Sequence, residues 1–332
     1  MAALNRFIAA VCATIFLWPT LIYGRPSSSL APRGWPWPWP DKSLSLRLMT
    51  FNVRYAANAS GREKPWTERR GNLVTQVAFA AGTADNIFVG MQEVLHSQLE
   101  DIVSGLNNHP SSGGNDWVHI GVGRDDGKQK GEYSPILYRK SVWELVETST
   151  KWLSETPDVP SYGWGAGNRR IVTIGVFQHK RSRELVLVMN THLDHQVSEA
   201  RLHGSELIIK LIGEYKKKQQ YRCRIAGVML TGDFNSEEGQ EAYQVVTKSG
   251  VLVDPVKKFG DKNIYGNRKT FTGFDSDIGV SRIDYVFVGQ GNLCGRRNSG
   301  TWDVSSYAVL PNRFDDGIIF SDHRAVVADA RS

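Results

Sequence analysis

Cysteine is scarce in this chain of 332 residues, which contains three, at positions 12, 223 and 294. The closely spaced Cys and His ligands of a structural zinc site are absent. No histidine motif lies near Cys223 or Cys294, which argues against a thiol nucleophile. Because Cys12 falls in the N-terminal apolar segment, Cys223 and Cys294 either form one disulfide or remain two buried free thiols.

Apolar runs long enough to span a membrane are also absent after residue 41. At the N-terminus, Arg6 precedes an apolar run from Phe7 to Tyr23, which is typical of a secretory signal peptide. This run is short, contains a proline and leads into a Pro/Ser/Gly tract, so a cleaved signal peptide is favoured over an uncleaved anchor. We therefore expect a signal peptide at 1–24, a secreted protein and no stable membrane association.

The rest of the chain is long enough for one large α/β domain. Residues 25–43 form a Pro/Trp-rich leader whose alternating prolines, from Trp35 to Pro40, favour an extended polyproline conformation. The folded domain is expected at 44–332, as a monomer. The net charge of +6 of the whole chain is dispersed over short basic doublets, and no Lys/Arg-rich loop accompanies the polar motifs described below. This pattern only weakly favours an anionic partner.

Short polar motifs end several apolar, strand-like runs. Strands that end in Asn, Glu, Asp or His would converge on one carboxylate-rich pocket, which suits a hard divalent cation and water activation. The sequence therefore predicts a metal-dependent hydrolase. The motifs are Thr50–Arg54, Gln92–Val94, Asn190–His195, Thr231–Asn235, Ile283–Tyr285 and Ser321–His323.

Hydrophobic periodicity predicts a mixed sheet with helices outside it. Consecutive strands between 117 and 191 leave little room for helices, and Ser198 is a candidate N-cap of the longest amphipathic helix, 198–218. We expect the strands at 225–230, 285–288, 306–310 and 325–328 to form a second group.

The order and spacing of these motifs, from Leu46 to Ala330, resemble the endonuclease/exonuclease/phosphatase superfamily, which includes pancreatic-type DNases, abasic-site endonucleases, neutral sphingomyelinases and inositol polyphosphate 5-phosphatases. The resemblance implies a four-layer αββα sandwich of two mixed sheets flanked by helices. It also implies a Mg²⁺ or Mn²⁺ site in which Glu93 is the first carboxylate ligand. Asn52 and Asp322 would complete or support that site.

The same resemblance implies roles for the remaining motifs. Asp233 would orient or deprotonate the attacking water, and Asn235 would bind a phosphate oxygen. Asp284 would accept the N–H of His323 and favour an imidazolium that stabilises developing charge.

A second acid–imidazole pair is expected between Glu132 and His192, by resemblance to pancreatic-type DNases. His192 would act as a general acid or as a phosphate ligand. Arg124, Asp126 and Arg170 either line the cleft and bind substrate or form ion pairs that stabilise loops. Further motifs, including Gly123–Gly127, Trp152–Pro157 and Thr270–Phe274, are similar to a largely uncharacterised secreted or bacterial branch and do not identify its substrate.

These observations favour a secreted phosphoesterase acting on a phosphorylated small molecule or glycan. One alternative is a secreted non-specific nuclease acting on DNA or RNA, which would need an extended basic face that the dispersed charge does not supply. The other is a non-catalytic binding protein, which would be expected to have lost at least one residue of the catalytic set. That set is complete: Glu93, Asp233, Asn235, Asp284 and His323.

Overall fold

The computed structural model describes residues 43–111, 114–260, 263–275, 279–294 and 302–332. The predicted signal peptide and all of the leader except Ser43 lie outside these residues. The described chain has a 3₁₀ helix at Gln219–Tyr221 and five α-helices, which are α1 (Trp66–Gly82), α2 (His96–Asn108), α3 (Ser198–Lys217), α4 (Glu241–Lys248) and α5 (Val256–Phe259). Within these ranges, no helix is both long and apolar enough to cross a membrane.

The described strands form two sheets. The first has the order β3-β4-β2-β1-β12-β11-β9, and the second has the order β10-β8-β7-β6-β5. The strands, in chain order, are β1 (Ser45–Asn52), β2 (Ile87–Gln92), β3 (Trp117–Ile120), β4 (Ile136–Arg139), β5 (Trp143–Trp152), β6 (Ile171–His179), β7 (Leu185–His192), β8 (Ile225–Asp233), β9 (Tyr265–Gly266), β10 (Asp284–Gln290), β11 (Asp303–Val309) and β12 (Val326–Arg331).

Three layers of apolar side chains hold the elements together. A central layer lies between the two sheets and includes Leu48, Phe88 and Val188. Helices α1 and α2 pack on the outer face of the first sheet, while α3 and α4 pack on the outer face of the second. Two mixed sheets with helices on both outer faces confirm the expected αββα sandwich.

The expected grouping of the late strands was wrong. Strands β11 and β12 do not join β8 and β10 but lie in the first sheet, where β12 pairs antiparallel with β1. Chain order could not show this, because hydrophobic alternation defines the faces of a strand and not its partner.

The expected N-cap of α3, Ser198, was also wrong: Val197 occupies that position and makes no side-chain capping bond. Asp194 Oδ1 instead accepts the backbone N–H groups of Gln196 and Val197, at 2.9 and 2.8 Å.

The inner faces of the sheets change from apolar to polar toward one end. Successive strand residues point to opposite faces, so every second residue of a strand faces the other sheet. Parallel β1 and β2 end at the same edge, as do parallel β7 and β8, and the antiparallel strands β10 and β12 begin there. The inward series are Leu48, Thr50, Asn52 on β1, Val188, Asn190, His192 on β7, and Met229, Thr231, Asp233 on β8.

A buried polar network joins the sheets just below this edge. Gln92 Nε2 donates to Asn190 Oδ1 at 2.7 Å, and Thr231 Oγ1 donates to the same oxygen at 3.0 Å. The sheets approach closely here because β2 carries Gly90. A Cβ atom at Gly90 would lie 2.1 Å from Thr231 Oγ1.

Cys223 and Cys294 form a disulfide, with their Cα atoms 4.8 Å apart. The bond links the segment before β8 to the segment after β10, at the end of the sandwich away from Asp233 and Asp284. The two cysteines are therefore paired and are not free thiols.

Candidate active site

Three residues just beyond the ends of strands have left-handed backbone conformations. The φ angles are +58° at Arg54 after β1, +59° at Glu93 after β2 and +46° at Asn235 after β8. Non-glycine residues rarely adopt such angles, and strain of this kind concentrates at functional sites. The backbone at this end of the sandwich is thus bent at three neighbouring points, each of which carries a polar side chain.

Asn52 connects two carboxylates. Its Nδ2 donates to Glu93 Oε1 and to Asp233 Oδ2, both at 2.9 Å, and its Oδ1 accepts the backbone N–H of Arg54 at 3.0 Å. Asn52 is fully buried. In this arrangement the amide oxygen is already engaged, so Asn52 supports the carboxylates by orienting them.

The structure brings Asp284, His323 and Asp233 together. His323 Nδ1 lies 2.9 Å from Asp284 Oδ2, and its Nε2 lies 3.7 Å from Asp233 Oδ2. Burial and the nearby Asp284 raise the pKa of Asp233 to about 7. Burial opposes charge on His323, but Asp284 and Asp233 outweigh it and raise the pKa of His323 well above its usual value. The imidazole is therefore held as an imidazolium between two acids.

Carboxylate oxygens at this edge are suitable ligands for a divalent cation. Asp322 Oδ1 and Asp284 Oδ1 are buried and have no hydrogen-bond partner in the structure. Burial raises the pKa of Asp322, and Glu93 adds to that effect while His323 opposes it. A cation would relieve the repulsion between Glu93 and Asp322. A second set, Asp233, Asp284 and His323, has ligand atoms within 4.8 Å of one another, but it could hold a metal ion only if His323 lost its proton, since an imidazolium has no lone pair for a metal.

The expected pair between Glu132 and His192 does not form a direct hydrogen bond. Glu132 instead makes a bidentate ion pair with Arg124, with both N–O distances at 2.8 Å. His192 Nδ1 lies 3.8 Å from Glu132 Oε2. The guanidinium of Arg124 offers two parallel donors that fit a carboxylate better than one imidazole N–H does. Glu132 is therefore close to His192, but its hydrogen bonds go to an arginine.

His192 is held in its neutral form. Burial, followed by the positive charges of Arg170 and Arg124, lowers its pKa well below the usual value. Its Nε2 lies 3.0 Å from Asn235 Nδ2, and because the amide nitrogen donates, Nε2 is the accepting nitrogen. Neutral His192 cannot donate from Nε2 in this arrangement, neither to a leaving group nor to a phosphate oxygen, so the structure favours a role in positioning Asn235.

Arg124 and Arg170 both line the cleft, but Asp126 does not lie among the described residues that line it. Asp126 Oδ1 accepts the backbone N–H groups of Lys128 and Lys130, at 2.8 and 3.0 Å. These bonds lower the pKa of Asp126. Asp126 therefore stabilises its own loop through backbone hydrogen bonds, where the alternative interpretation had expected an ion pair.

The cleft has a volume of about 470 Å³. It contains several residues to which the sequence had assigned no role, among them Phe271, whose ring centroid lies 5.0 Å from that of His323. Arg54 and Phe271 belong to motifs already noted, whereas Tyr55 and Asn168 carried no signal in the sequence. The lining residues are Arg54, Tyr55, Glu93, Arg124, Glu132, Asn168, Arg170, His192, His195, Asp233, Asn235, Phe271, Ile283, Asp322 and His323.

Comparison with known proteins agrees with this geometry. The model of the Endonuclease/Exonuclease/phosphatase family matches residues 49–323. A crystal structure of a member of that family from Bacteroides thetaiotaomicron is 31% identical, covers 87% of this chain and 95% of its own, and superimposes with a TM-score of 0.74. A mannosyl-6-phosphatase from Bacteroides thetaiotaomicron VPI-5482 is also 31% identical, covers 86% and 99% of the two chains, and gives a TM-score of 0.73.

A viral protein is similar over a shorter stretch. The uncharacterized protein L388 of Acanthamoeba polyphaga mimivirus is 35% identical over 198 residues, which are 55% of this chain. The match spans 65% of the viral protein, so this chain covers less than two thirds of that relative's length.

Proposed function

This chain belongs to the endonuclease/exonuclease/phosphatase family, and we propose that it is a secreted, divalent-metal-dependent phosphoesterase acting on a small or glycan-linked substrate. The observation that carries the proposal is the buried set of Asp233, Asp284 and His323 beside the carboxylates Glu93 and Asp322. A charged imidazole and a carboxylate whose pKa is about 7 are suited to acid–base work near neutral pH.

Each residue has a distinct task in this proposal. Asp233 orients the attacking water and accepts its proton, since its Oδ2 lies within 3.7 Å of both His192 Nε2 and His323 Nε2. His323, fixed by Asp284, stabilises the charge that develops on phosphorus oxygens. Asn235 binds a phosphate oxygen, His192 positions the amide of Asn235, and Asn52 keeps the carboxylates in place. Mg²⁺ or Mn²⁺, held by Glu93 and Asp322, would neutralise phosphate charge and polarise the ester.

The preference for a small or glycan-linked substrate rests on charge and size. The arginines nearest the reaction centre, Arg54, Arg124 and Arg170, lie inside a cleft of about 470 Å³. A nuclease needs basic residues spread along a surface that follows a polyanion. A relative of 31% identity that matches 99% of its own length is a mannosyl-6-phosphatase, which supports a sugar phosphate as the substrate class.

Secretion is supported by the disulfide between Cys223 and Cys294, because structural disulfides persist in oxidising compartments. The predicted signal peptide at 1–24 points the same way. A non-catalytic binding protein is disfavoured, because the residues needed for hydrolysis are present and also make the contacts that their roles require.

The test is a metal-dependent activity screen of the full chain. Substrates should include sugar phosphates, inositol phosphates, phosphodiesters, RNA and plasmid DNA. Chelator should abolish turnover without unfolding the protein, and Mg²⁺ or Mn²⁺ should restore it. Glu93→Gln should behave like the chelated protein, whereas Glu155→Gln, which changes an exposed carboxylate outside the cleft, should not. Full activity in excess chelator would exclude the mechanism.

A further inference from the structure

One side of the cleft carries two carboxylates beside Arg54, and the other carries two arginines that are ion-paired with Glu132 and Asp194. Glu93 and Asp322 lie at one side of the cleft. Asp233, His192 and His323 lie in the middle. Arg124 and Arg170, here called the arginine pair, lie at the other side. His192 stands between the sides, because its Nε2 is 3.6 Å from Asp233 Oδ2 and its Nδ1 is 3.8 Å from Glu132, the partner of Arg124.

Arg170 has donors with no hydrogen-bond partner in the structure. Its side chain is only 5% exposed, yet Nε and Nη1 are buried without a hydrogen bond. Its remaining contacts are Nη2 to His195 Nδ1 at 2.9 Å and an ion pair between Nε and Asp194 Oδ2 at 3.5 Å. Buried donors that remain unsatisfied cost free energy, and an arriving acceptor recovers it. Arg170 also lines the cleft, so such an acceptor can come from a bound ligand.

The backbone of each arginine is fixed by its surroundings. The indole of Trp152 donates to the carbonyl of Arg124 at 2.7 Å, and Leu153 N donates to the carbonyl of Arg170, also at 2.7 Å. Consecutive residues at the end of β5 thus hold both arginines. Glu132 fixes the guanidinium of Arg124 in addition. The pair is preorganised, so little conformational entropy is lost when an anion binds.

The hydrogen-bond donors of the pair suit one class of phosphoester. A phosphomonoester carries up to two negative charges and three terminal oxygens, whereas a phosphodiester carries one charge and two terminal oxygens. A guanidinium recognises such oxygens through fixed, paired donors. The donors of Arg170 that have no hydrogen-bond partner match the additional terminal oxygen that a monoester carries.

We propose that the arginine pair selects phosphomonoesters, with Arg170 donating to a terminal oxygen of the dianion and Arg124, fixed by Glu132, placing a second guanidinium beside it. This inference rests on the proposed function and narrows it. Monoester hydrolysis would release inorganic phosphate and an alcohol: water supplies the new P–O bond, and the ester oxygen leaves with a proton.

The experiment compares two chromogenic esters, p-nitrophenyl phosphate and bis(p-nitrophenyl) phosphate, at saturating metal. The parent protein should prefer the monoester. Arg170→Gln and Arg124→Gln should each lower kcat/KM for the monoester at least about tenfold more than for the diester, and Arg170→Lys should recover part of the loss because it keeps the charge. Arg181→Gln removes the same charge from a cavity at the opposite end of the sandwich. It should leave the ratio of kcat/KM for the monoester to kcat/KM for the diester unchanged.

A binding measurement separates this inference from catalysis. In chelator, calorimetric titration should show that inorganic phosphate binds the parent protein more tightly than dimethyl phosphate, and that Arg170→Gln abolishes the difference. Thermal melting would establish that each variant is folded, and Arg124→Gln provides a second test if Arg170→Gln is not. If the parent hydrolyses neither these esters nor the sugar and inositol phosphates, the proposed function fails. If it hydrolyses both esters and the arginine variants keep its ratio, the function stands and the selectivity inference is wrong.

Discussion

His323 Nδ1 and Asp284 Oδ2 lie 2.9 Å apart, and both side chains are buried. Asp284 begins β10 opposite Asp233 on β8, so the pairing of these strands fixes both acids relative to each other. Thr270 Oγ1 accepts the backbone N–H of Asp284 at 3.1 Å and further fixes this strand end. Asp284 is therefore a positioning residue that acts through the imidazole.

This contact predicts strongly non-additive mutant effects. His323→Ala should lower kcat at least about a hundredfold, since a positioned acid or base usually contributes on the order of 10²–10⁴. Asp284→Asn should also impair turnover, but the double variant should cost much less than the product of the two losses. His203→Ala, at a partly exposed α3 histidine with two acidic neighbours, is the matched control and should be neutral. Independent, multiplicative losses would contradict the pairing.

The raised pKa of Asp233 predicts how the stability of the metal-free protein depends on pH. Its pKa is about 7 in the folded protein, above its unfolded value, so the folded state retains a proton that the unfolded chain releases. This contribution is complete below about pH 4 and is lost as pH rises toward 7. The raised pKa of His323 acts in the same direction at higher pH, because its contribution is complete below about pH 6.5 and is lost through its folded pKa.

The measurement is urea unfolding of the metal-free protein between pH 5 and pH 8. The free energy of unfolding should fall with pH, and Asp233→Asn should remove on the order of 2 kcal/mol of that fall. Excess Mg²⁺ should reduce the decline in the parent, since cation binding favours ionised carboxylates. An identical pH profile in the parent and in Asp233→Asn would show that Asp233 does not titrate as inferred.

The convergence of the site could be predicted from sequence because it follows from strand periodicity. Asn52, His192 and Asp233 end strands whose inward residues change from apolar to polar toward that end, so each was expected at the same inner edge. Ion pairs between loop residues could not be predicted in this way. Glu132 precedes β4, and Arg124 lies in the loop before it. Nothing in their spacing shows that Glu132 pairs with Arg124 and not with His192.

Sheet membership was also hidden from the sequence. Strand β12 contributes residues to the central apolar layer, as a strand of either sheet would. Its place beside β1 depends on pairing between residues more than 270 positions apart, such as Leu46 with Ala330. The position of Asp322 and His323 near Asn52 follows from that long-range pairing, so only the family resemblance could place them at the site in advance.

Salt dependence should distinguish a small substrate from a nucleic acid. A protein that binds along a polyanion releases counterions. The logarithm of its affinity then falls against the logarithm of salt concentration, with a slope of roughly −0.9 per phosphate neutralised. Because the arginines of this site lie within the cleft, we expect weak DNA binding. We also expect kcat/KM for a sugar phosphate to change little between low and moderate salt. Plasmid nicking and sugar phosphate hydrolysis should be compared over one salt series. Efficient nicking with a steep slope, and no hydrolysis of small phosphoesters, would favour the nuclease alternative.

Gly90 should be essential to the junction between the sheets. In Gly90→Ala, the new methyl group would lie 2.1 Å from Thr231 Oγ1 and 2.6 Å from Asn190 Oδ1, so the buried hydrogen bonds must rearrange. Overpacking and lost buried hydrogen bonds should together lower the free energy of unfolding by about 2–4 kcal/mol. Turnover should fall as well, because Asn190 and Thr231 lie two residues before His192 and Asp233 on the same strand faces.

Gly213→Ala is the matched control for that substitution. Gly213 lies in α3, and a Cβ atom there would meet nothing within 4 Å. Alanine favours the helix by about 0.5–1 kcal/mol relative to glycine, so this variant should be slightly more stable and fully active. Urea unfolding and kcat should be measured on both variants. A Gly90→Ala protein as stable and active as Gly213→Ala would show that the sheets can separate at this point without cost, and that the polar network beneath the site does not position His192 and Asp233.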